Sequence, residues 1–342
     1  MVEPAAEEPK RSEAEGLLVL STADVEACLT MPDCVEAVGA ALIAVSAGEV
    51  HNPLRTTVMP PFDGAPGLLG LMPAVRAGES WLYGLKEVCV FPGNHAKGID
   101  SHQGSVLLHD GQTGRLLAIM NGATITAIRT AAATAVASRA LARPDSRVLA
   151  LVGAGIQARW HLESLALVHD LAEIRVCSHR PERAAAFAEH WAGRYPIRAV
   201  ETAAAAVDGA DIVTTVTNAV EPVVERESIA DGTHLNAVGS SFATKRELDT
   251  ATMAAARLFV DRRESTLAES GDYLLAAADG AIGPDHIVAE IGDVIDGRVA
   301  GRRTSAEITV FKSLGLAIED IAAAEVALGR ARELGLGTVV PF

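Results

Sequence analysis

The chain has 342 residues, of which 49% are hydrophobic, and it carries a formal net charge of −15 at pH 7. This length exceeds one typical domain, so we expect two domains with a substantial buried core. The acidic balance argues against nucleic acid or an anionic membrane as the main partner. We find no apolar run of membrane-spanning length, no signal-peptide pattern and no metal-ligand spacing among the four cysteines, and therefore expect a reduced, cytoplasmic protein without a metal.

The first part of the chain predicts a tail, two helices and antiparallel strands. Residues 1–16 are charged and poor in bulky apolar side chains, which is typical of a disordered tail. Ser21 is suited to cap a helix, and apolar spacing predicts a second helix from Met31 to Ala47. An alanine-rich helix is predicted over 124–141. Strands are predicted over 54–59, 81–91, 104–109 and 115–120, the last two flanking the turn sequence Asp-Gly-Gln-Thr-Gly.

The segment from Arg147 to Ala158 has the pattern of a strand, a glycine turn and a helix start. An apolar run ends at Gly153, Gly155 follows two residues later, and Ala158 stands where a third small residue is needed. Gly153 would form the tight turn, and Gly155, lacking a Cβ, would let the backbone approach a pyrophosphate at the helix N-terminus. The pattern predicts a dinucleotide-binding unit, with its helix continuing to His169.

A second strand of this unit, 173–178, ends where a ribose-reading residue is expected. An acidic residue there would bind the ribose hydroxyls of NAD and repel a 2′-phosphate. The chain instead has Ser178, His179 and Arg180, whose hydroxyl, imidazole and guanidinium groups favour a phosphate. We therefore favour NADP(H) over NAD(H), while NAD(H) stays possible.

The remaining elements predict a doubly wound parallel sheet. Strands are expected over 211–216, 234–238, 258–261 and 308–311. Helical periodicity covers 265–278, and a last helix from Ser313 to about Leu334 should pack back onto the first domain. The predicted fold class is α/β, with a Rossmann-type doubly wound dinucleotide-binding domain over 131–314. A smaller α+β domain with antiparallel strands combines 17–130 with 315–342.

Six short blocks occur in a fixed order along the chain. They are Gly84-Leu85-Lys86 with Phe91-Pro92-Gly93-Asn94, Ser101-His102-Gln103-Gly104, Thr126-Ala127-Ile128-Arg129-Thr130-Ala131-Ala132, Gly153-Ala154-Gly155-Ile156-Gln157-Ala158, His234-Leu235-Asn236-Ala237-Val238-Gly239, and Phe311-Lys312-Ser313-Leu314-Gly315. Together they resemble the ornithine cyclodeaminase and mu-crystallin family, from about residue 18 to the C-terminus.

The resemblance implies a nicotinamide-dependent interconversion of α-amino acids with α-imino or α-keto acids, in a homodimer joined through the smaller domain. The positions matching the family's substrate-carboxylate site are Arg55, Lys86 and Arg129. Guanidinium groups suit a planar carboxylate because they donate two parallel hydrogen bonds. Burial beside two arginines would lower the pKa of Lys86, which makes it a candidate proton donor as well. We take Lys86 and Arg129 as the catalytic pair.

The predicted cofactor positions lie at successive strand ends. They are Gly153, Ala154, Gly155, Ile156 and Gln157 at the pyrophosphate, Ser178, His179 and Arg180 at the ribose, and Thr217, Val238 and Gly239 after later strands.

The resemblance implies that cyclodeaminases of this family carry an aspartate at the position of Ser241. The serine is therefore a departure from the cyclodeaminases. A hydroxyl is poorly suited to take a proton from a substrate ammonium, although it can hydrogen-bond a carboxylate or an imine nitrogen. Asn121 likewise replaces an aspartate of many relatives, and Glu87 is expected on the opposite strand face from Lys86. A cyclodeaminase would need a substitute acid from elsewhere, and Asp293 is one candidate.

These observations predict an NAD(P)H-dependent imine reductase or amino-acid dehydrogenase. Its substrate would be a cyclic ketimine, such as pyrroline- or piperideine-2-carboxylate, or an open-chain imino acid, held by Arg55, Lys86, Arg129 and Ser241. One alternative is an ornithine or lysine cyclodeaminase that recycles NAD internally. Another is a ligand-binding protein of the mu-crystallin type. The retained cations and pyrophosphate turn count against a purely binding role.

Overall fold

The computed structural model describes residues 16–61, 64–78 and 81–342, so the predicted tail lies outside the described residues except for Gly16. The strands in chain order are β1 (Leu17–Leu20), β2 (Val50–His51), β3 (Thr56–Val58), β4 (Leu68–Arg76), β5 (Leu82–Val90), β6 (His102–Asp110), β7 (Leu116–Asn121), β8 (Val148–Val152), β9 (Glu173–Cys177), β10 (Ile197–Ala199), β11 (Ile212–Thr215), β12 (His234–Ala237), β13 (Arg257–Val260), β14 (Ile287–Glu290), β15 (Thr309–Lys312) and β16 (Thr338–Val340).

The α-helices lie between these strands and after them. They are α1 (Thr22–Cys28), α2 (Met31–Ser46), α3 (Gly122–Leu141), α4 (Ile156–Val168), α5 (Pro181–Trp191), α6 (Ala203–Val207), α7 (Thr250–Ala255), α8 (Arg263–Glu269), α9 (Gly271–Ala278), α10 (Ile291–Ile295) and α11 (Ala317–Leu334).

The first sheet, which we call the mixed sheet, has the strand order β16-β1-β7-β6-β5-β4-β2, with β3 also paired to β4. All neighbours are antiparallel except β1 and β7. The predicted antiparallel hairpin is therefore confirmed as β6 and β7. Strand β4 was not predicted, because Gly70 and Pro73 interrupt its apolar pattern. Helices α2, α3 and α11 cover one face of this sheet.

The second sheet, the parallel sheet, has the order β10-β9-β8-β11-β12-β15-β13-β14, and every pair in it is parallel. Its central strands are buried on both faces, which explains their continuous apolar runs. The doubly wound fold class is confirmed. In such a sheet, ligands bind beyond the carboxyl ends of the strands. The exact domain limits stay a prediction.

Two predicted helices differ from the structure. The expected helix 265–278 is two helices, because Ser270 has an extended backbone and its side chain caps α9. A Cβ on Gly271 would stand 1.9 Å from the carbonyl oxygen of Lys245, so this junction fits closely against a neighbouring loop. The last helix begins at Ala317 rather than Ser313, since Gly315 has a φ of +79°. As predicted, α11 packs onto the mixed sheet.

Helix α3 joins the two sheets and is almost entirely buried. It packs against α2 and α11 on the mixed-sheet side and against α4, β12 and β15 on the other. Its alanines and threonines allow this close packing on several sides. Within the described ranges, no single helix is long and apolar enough to cross a membrane. Only α1 and α2 taken together reach that length and composition, and they are bent by 84°.

Candidate active site

The structure brings two predicted cations together with two acidic residues between the sheets. Lys86 on β5 has its Nζ 3.2 Å from both carboxylate oxygens of Asp320 on α11. Arg129 on α3 donates from Nε to Asp320 at 2.8 Å and from Nη1 to Glu319 at 2.7 Å. All four side chains are buried. We call Lys86, Arg129, Glu319 and Asp320 the interdomain cluster.

Burial and charge determine the protonation of this cluster. Burial lowers the pKa of Lys86 to about 8, because Asp320 only partly offsets the desolvation of the ammonium and Arg129 repels it. Burial also acts against the charge of Arg129, but Asp320 and Glu319 outweigh it and raise the pKa of the guanidinium. Burial raises the pKa of Glu319 to about 7. Its Oε1 has no hydrogen-bond partner among the described residues, so the cluster has spare accepting capacity.

Arg55 follows β2 and reaches the other domain. Its Nη2 donates to the carbonyl oxygen of Leu314 at 2.9 Å, and its Nε lies 2.7 Å from a carboxylate oxygen of Glu269. The carbonyl of Gly315 is also within 3.5 Å of Nη2. A Cβ built on Gly315 would be 2.4 Å from Nη1 of Arg129. Arg55 and Arg129 therefore flank the same glycine, and the three predicted carboxylate-binding cations lie in one region.

A buried carboxylate fixes the segment between the two arginines. Asp261, directly after β13, accepts the backbone N–H groups of Leu314 and Gly315 at 2.6 and 2.7 Å. Burial raises the pKa of Asp261, while these N–H groups oppose the shift. This contact holds the turn before α11 and thereby the direction in which α11 presents Glu319 and Asp320.

The predicted pyrophosphate turn has the geometry that a dinucleotide requires. Gly153 has a φ of +123°, a backbone conformation that favours glycine, and its N–H donates to the carbonyl of Cys177. Gly155 is the N-cap of α4, has no side-chain cap, and has open space where a Cβ would stand. Ile156 is exposed, Ala154 and Gln157 are partly buried, and Ala158 is buried against the sheet.

The predicted ribose-reading residues follow β9, beside this turn. His179 and Arg180 are exposed, and Ser178 is partly buried with its hydroxyl accepting the N–H of Arg180 at 3.3 Å. No acidic side chain lies between β9 and the start of α5. The loop thus presents hydroxyl, imidazole and guanidinium groups to solvent.

The loops after β11 and β12 lie against each other. Both are bound by Glu247, which accepts the N–H of Thr217 at 2.7 Å and the N–H of Gly239 at 2.7 Å. Val238 is nearly buried and Ser241 partly buried. These predicted residues therefore lie at the carboxyl edge of the parallel sheet, after β11, which pairs with β8, and after β12, which pairs with β11.

Comparison with known proteins agrees with this arrangement. The family model described as ornithine cyclodeaminase/mu-crystallin family matches residues 16–334. The chain belongs to this family. It is 43% identical to ketimine reductase mu-crystallin of Mus musculus over 279 residues, which are 82% of this chain and 85% of that protein.

Two solved structures of relatives superpose over nearly the whole chain. Thermococcus litoralis Delta(1)-pyrroline-2-carboxylate reductase, in complex with NADH and L-proline, has a TM-score of 0.90 and 38% identity, covering 95% of this chain and 100% of that one. An archaeal alanine dehydrogenase dimer with bound NAD has a TM-score of 0.90 and 33% identity, covering 96% and 100%. The predicted family resemblance is confirmed.

Three further residues singled out in the sequence, Asn121, Glu87 and Asp293, bind partners outside the interdomain cluster. Asn121 caps α3 by accepting from the N–H and hydroxyl of Thr124, both at 2.9 Å. Glu87 accepts from Ser105 at 2.7 Å, on the strand face opposite Lys86 as expected. Asp293 on α10 accepts a hydrogen bond from Nε of Arg298 at 2.8 Å. A role for Asp293 as the missing cyclodeaminase acid is therefore not supported.

Sequence reasoning missed the buried carboxylates of this family member. Glu319 and Asp320 interrupt an otherwise apolar helix turn, Ala317-Ile318-Glu319-Asp320-Ile321. Such a pair on a helix expected to be buried is the signal that could have identified them, because buried acids need cationic partners. Glu247 has no comparable signal, since it lies in a polar loop. Within the described chain, no group of three or more His, Cys, Asp or Glu residues is arranged to hold a metal.

Proposed function

We propose that this protein is an NAD(P)H-dependent reductase that converts an α-imino acid to the L-amino acid. The observation that carries the proposal is the convergence of Arg55, Lys86 and Arg129 in a chain that also forms a dinucleotide-type turn. The related ketimine and pyrroline-2-carboxylate reductases act on this class of substrate, as their names state.

The two arginines keep donors for a substrate carboxylate. Among the described residues, no hydrogen bond engages Nη1 of Arg55 or Nη2 of Arg129. Both guanidinium groups flank Gly315, so a planar carboxylate placed there would receive a hydrogen bond from each. Holding the carboxylate from two sides would fix the orientation of the adjacent α-carbon.

Lys86 is the group we assign to the proton. Its Nζ is held by Asp320, and a pKa of about 8 leaves it mainly protonated near neutral pH while making it a better donor than an exposed lysine. A proton from Nζ to the imine nitrogen makes the α-carbon more electrophilic. We assign to Ser241, which follows β12, a hydrogen bond to the substrate nitrogen or carboxylate.

A nicotinamide dinucleotide supplies the hydride when bound. The residues present fit this group: Gly155 leaves open space at an uncapped helix N-terminus, and Gly153 forms the turn before it. Ala154, Ile156 and Gln157 would complete the pyrophosphate contact. Thr217, Val238 and Gly239 would line the nicotinamide end.

We further propose that the cofactor is NADP(H) in preference to NAD(H). The support is the exposed Ser178-His179-Arg180 loop without an acidic side chain. Direct titration with NADPH and NADH tests this preference. We expect Arg180→Ala to weaken NADPH binding about tenfold, the effect of losing one charge-assisted contact, and to leave NADH binding unchanged. Equal losses for both cofactors would contradict the assignment.

We also propose a homodimer joined through the outer face of the mixed sheet. A row of apolar residues crosses five neighbouring strands in register on the face away from α11: Pro73, Leu85, Leu107, Ile119 and Val19. Each of these side chains is partly or largely exposed. An apolar sheet face of this width is typical of a protein interface, and the related alanine dehydrogenase is described as a dimer. Light scattering of wild type and Leu107→Lys tests it: a monomeric wild type contradicts the proposal.

The function is tested by NADPH and NADH oxidation with four substrates: Δ1-pyrroline-2-carboxylate, Δ1-piperideine-2-carboxylate, iminosuccinate formed from oxaloacetate and ammonia, and pyruvate with ammonia or methylamine. We expect turnover with at least one imine, its loss in Arg129→Ala, and its retention in Lys97→Ala, which removes an exposed lysine. Ammonia release from ornithine or lysine at catalytic NAD, without imine reduction, would instead identify a cyclodeaminase. Binding of an apolar ligand without any turnover would favour a binding protein.

A further inference from the structure

Glu247 joins the loops that follow two neighbouring strands of the parallel sheet. Its Oε1 accepts from the N–H and the hydroxyl of Thr217, each at 2.7 Å. Its Oε2 accepts from the N–H of Gly239 and the hydroxyl of Thr215, each at 2.7 Å. The side chain is fully buried. One carboxylate therefore fixes the distance between the ends of β11 and β12.

The packing around Gly239 shows how closely these loops approach. A Cβ on Gly239 would stand 2.1 Å from the carbonyl oxygen of Thr217, 2.3 Å from its nitrogen and 2.6 Å from Oε1 of Glu247. Only a residue without a side chain fits there. The two loops are thus in contact. The N–H groups of Val238 and Gly239 also donate to the carbonyl of Thr215 at 3.1 and 3.2 Å, and Glu247 adds shorter hydrogen bonds to both loops.

A buried ion pair between Asp272 and Lys312 holds Glu247 and the loop after β12 in place. Asp272 accepts the backbone N–H of Glu247 at 2.7 Å, and its other oxygen lies 2.9 Å from Nζ of Lys312. Lys312 also donates to the carbonyl of Ser240 at 2.6 Å. These contacts run from Gly239 through Glu247, Asp272 and Lys312 back to Ser240, which precedes Ser241. We call Glu247, Asp272 and Lys312 the sheet-end cluster.

We propose that Glu247 is a positioning residue for the nicotinamide end of the cofactor and for Ser241. It does not touch the cofactor itself. It sets the separation of the Thr217 and Gly239–Ser241 loops, between which the nicotinamide end would lie, and this inference rests on the proposed function. An amide cannot replace the carboxylate, because its NH₂ group would face a backbone N–H donor on one loop.

The test compares Glu247→Gln with Asp211→Asn. Asp211 is a matched control because it also accepts two backbone N–H groups, those of Arg147 and Val148 at 2.8 and 2.9 Å, but it does so at the amino end of the same sheet. Both variants should unfold at lower temperature. Cofactor dissociation constants are then measured by NADPH and NADH fluorescence at a temperature where both variants give the wild-type circular dichroism spectrum.

We expect Glu247→Gln to raise the cofactor dissociation constant about tenfold, the effect of one unsatisfied buried donor, and to lower kcat. We expect Asp211→Asn to leave both unchanged. If Glu247→Gln does not fold, Thr215→Val removes a single hydroxyl donor to the carboxylate and should raise the dissociation constant by about threefold or more, the effect of losing one hydrogen bond.

Wild-type cofactor binding in a folded Glu247→Gln or in Thr215→Val, or an equal loss in Asp211→Asn, would overturn the positioning role. Failure of the wild-type protein to bind either nucleotide would overturn the proposed function and this inference with it. The wild-type titration and the variant comparison therefore separate the two claims.

Discussion

The interdomain cluster and the sheet-end cluster are both buried groups of charges, yet their contacts differ. In the sheet-end cluster, Glu247 accepts four hydrogen bonds, two of them from backbone N–H groups. In the interdomain cluster, the contacts are between side chains, and Glu319 has one oxygen without a hydrogen bond in the described structure. Glu247 therefore has no accepting capacity left, whereas Glu319 has. In the sheet-end cluster the oxygen without a hydrogen bond is Oδ2 of Asp272, which lies 2.9 Å from Nζ of Lys312.

This difference indicates what each cluster does. A carboxylate saturated by backbone N–H and hydroxyl donors holds the chain in one conformation, since any movement breaks several hydrogen bonds at once. Side-chain ion pairs between α3, α11 and β5 can exchange partners when a charged ligand arrives. We infer that the sheet-end cluster has a structural role and that the interdomain cluster binds substrate and transfers the proton.

The largest expected difference is between two buried lysines. Lys86→Ala should lower kcat by a factor of about 10²–10⁴, the range for loss of a general acid, with little loss of stability because Asp320 keeps Arg129 as a partner. Lys312→Ala should instead lower the free energy of unfolding by about 3–5 kcal/mol, since Asp272 loses its cation in the core. Steady-state kinetics and urea denaturation measure both. Equal stability losses in the two variants would remove the contrast.

Gly315→Ala should act through Arg129. The added Cβ would stand 2.4 Å from Nη1 of Arg129, which has to move. We expect the KM for the imino acid to rise about tenfold or more, the effect of a weakened charged contact. Gly297→Ala is the matched control, because Gly297 has a φ of +76° with no atom near its Cβ position. The control shares the backbone strain and should leave KM unchanged; the same rise in both variants would assign the effect to strain alone.

The alkaline limb of the pH profile should report Lys86. Its pKa of about 8 means that the protonated form is lost above this pH, and kcat/KM for reduction should fall about tenfold for each further pH unit. Lys86→Arg keeps the charge and should abolish this limb at reduced kcat, because a guanidinium does not deprotonate in this range. A limb that persists in Lys86→Arg would belong to another group or to the substrate.

A fourth prediction concerns Glu319 and stability. Its pKa is raised to about 7 in the folded protein, so between roughly pH 4.5 and 7 the folded chain binds more protons there than the unfolded chain. The free energy of unfolding should therefore decrease as pH rises through this window, by on the order of 2 kcal/mol. Glu319→Gln removes this contribution. Urea denaturation at pH 5 and 7.5 should show a smaller decrease in the variant; an unchanged decrease would contradict the assignment.

Much of the parallel sheet was predictable from local pattern. Its strands are buried on both faces and form short apolar runs, and Gly153 and Gly155 mark the turn by their spacing alone. The mixed sheet was predicted less completely, because β4 contains Gly70 and Pro73. The family blocks contain Lys86 and Arg129, and the same resemblance matched Arg55 to the carboxylate site; the structure brings these three into one region.

The sequence by itself determined the fold class and the pyrophosphate turn, since each has a local signature, and the family resemblance identified the cations of the candidate site. Only the tertiary structure decided the partners of those cations. Glu319 and Asp320 lie 190 or more residues from Arg129 along the chain, and Glu247 follows the Gly239 loop that it binds without any periodic pattern. Which carboxylate faces which cation depends on how α3 and α11 pack between the sheets. Periodicity along one segment carries no information about that packing.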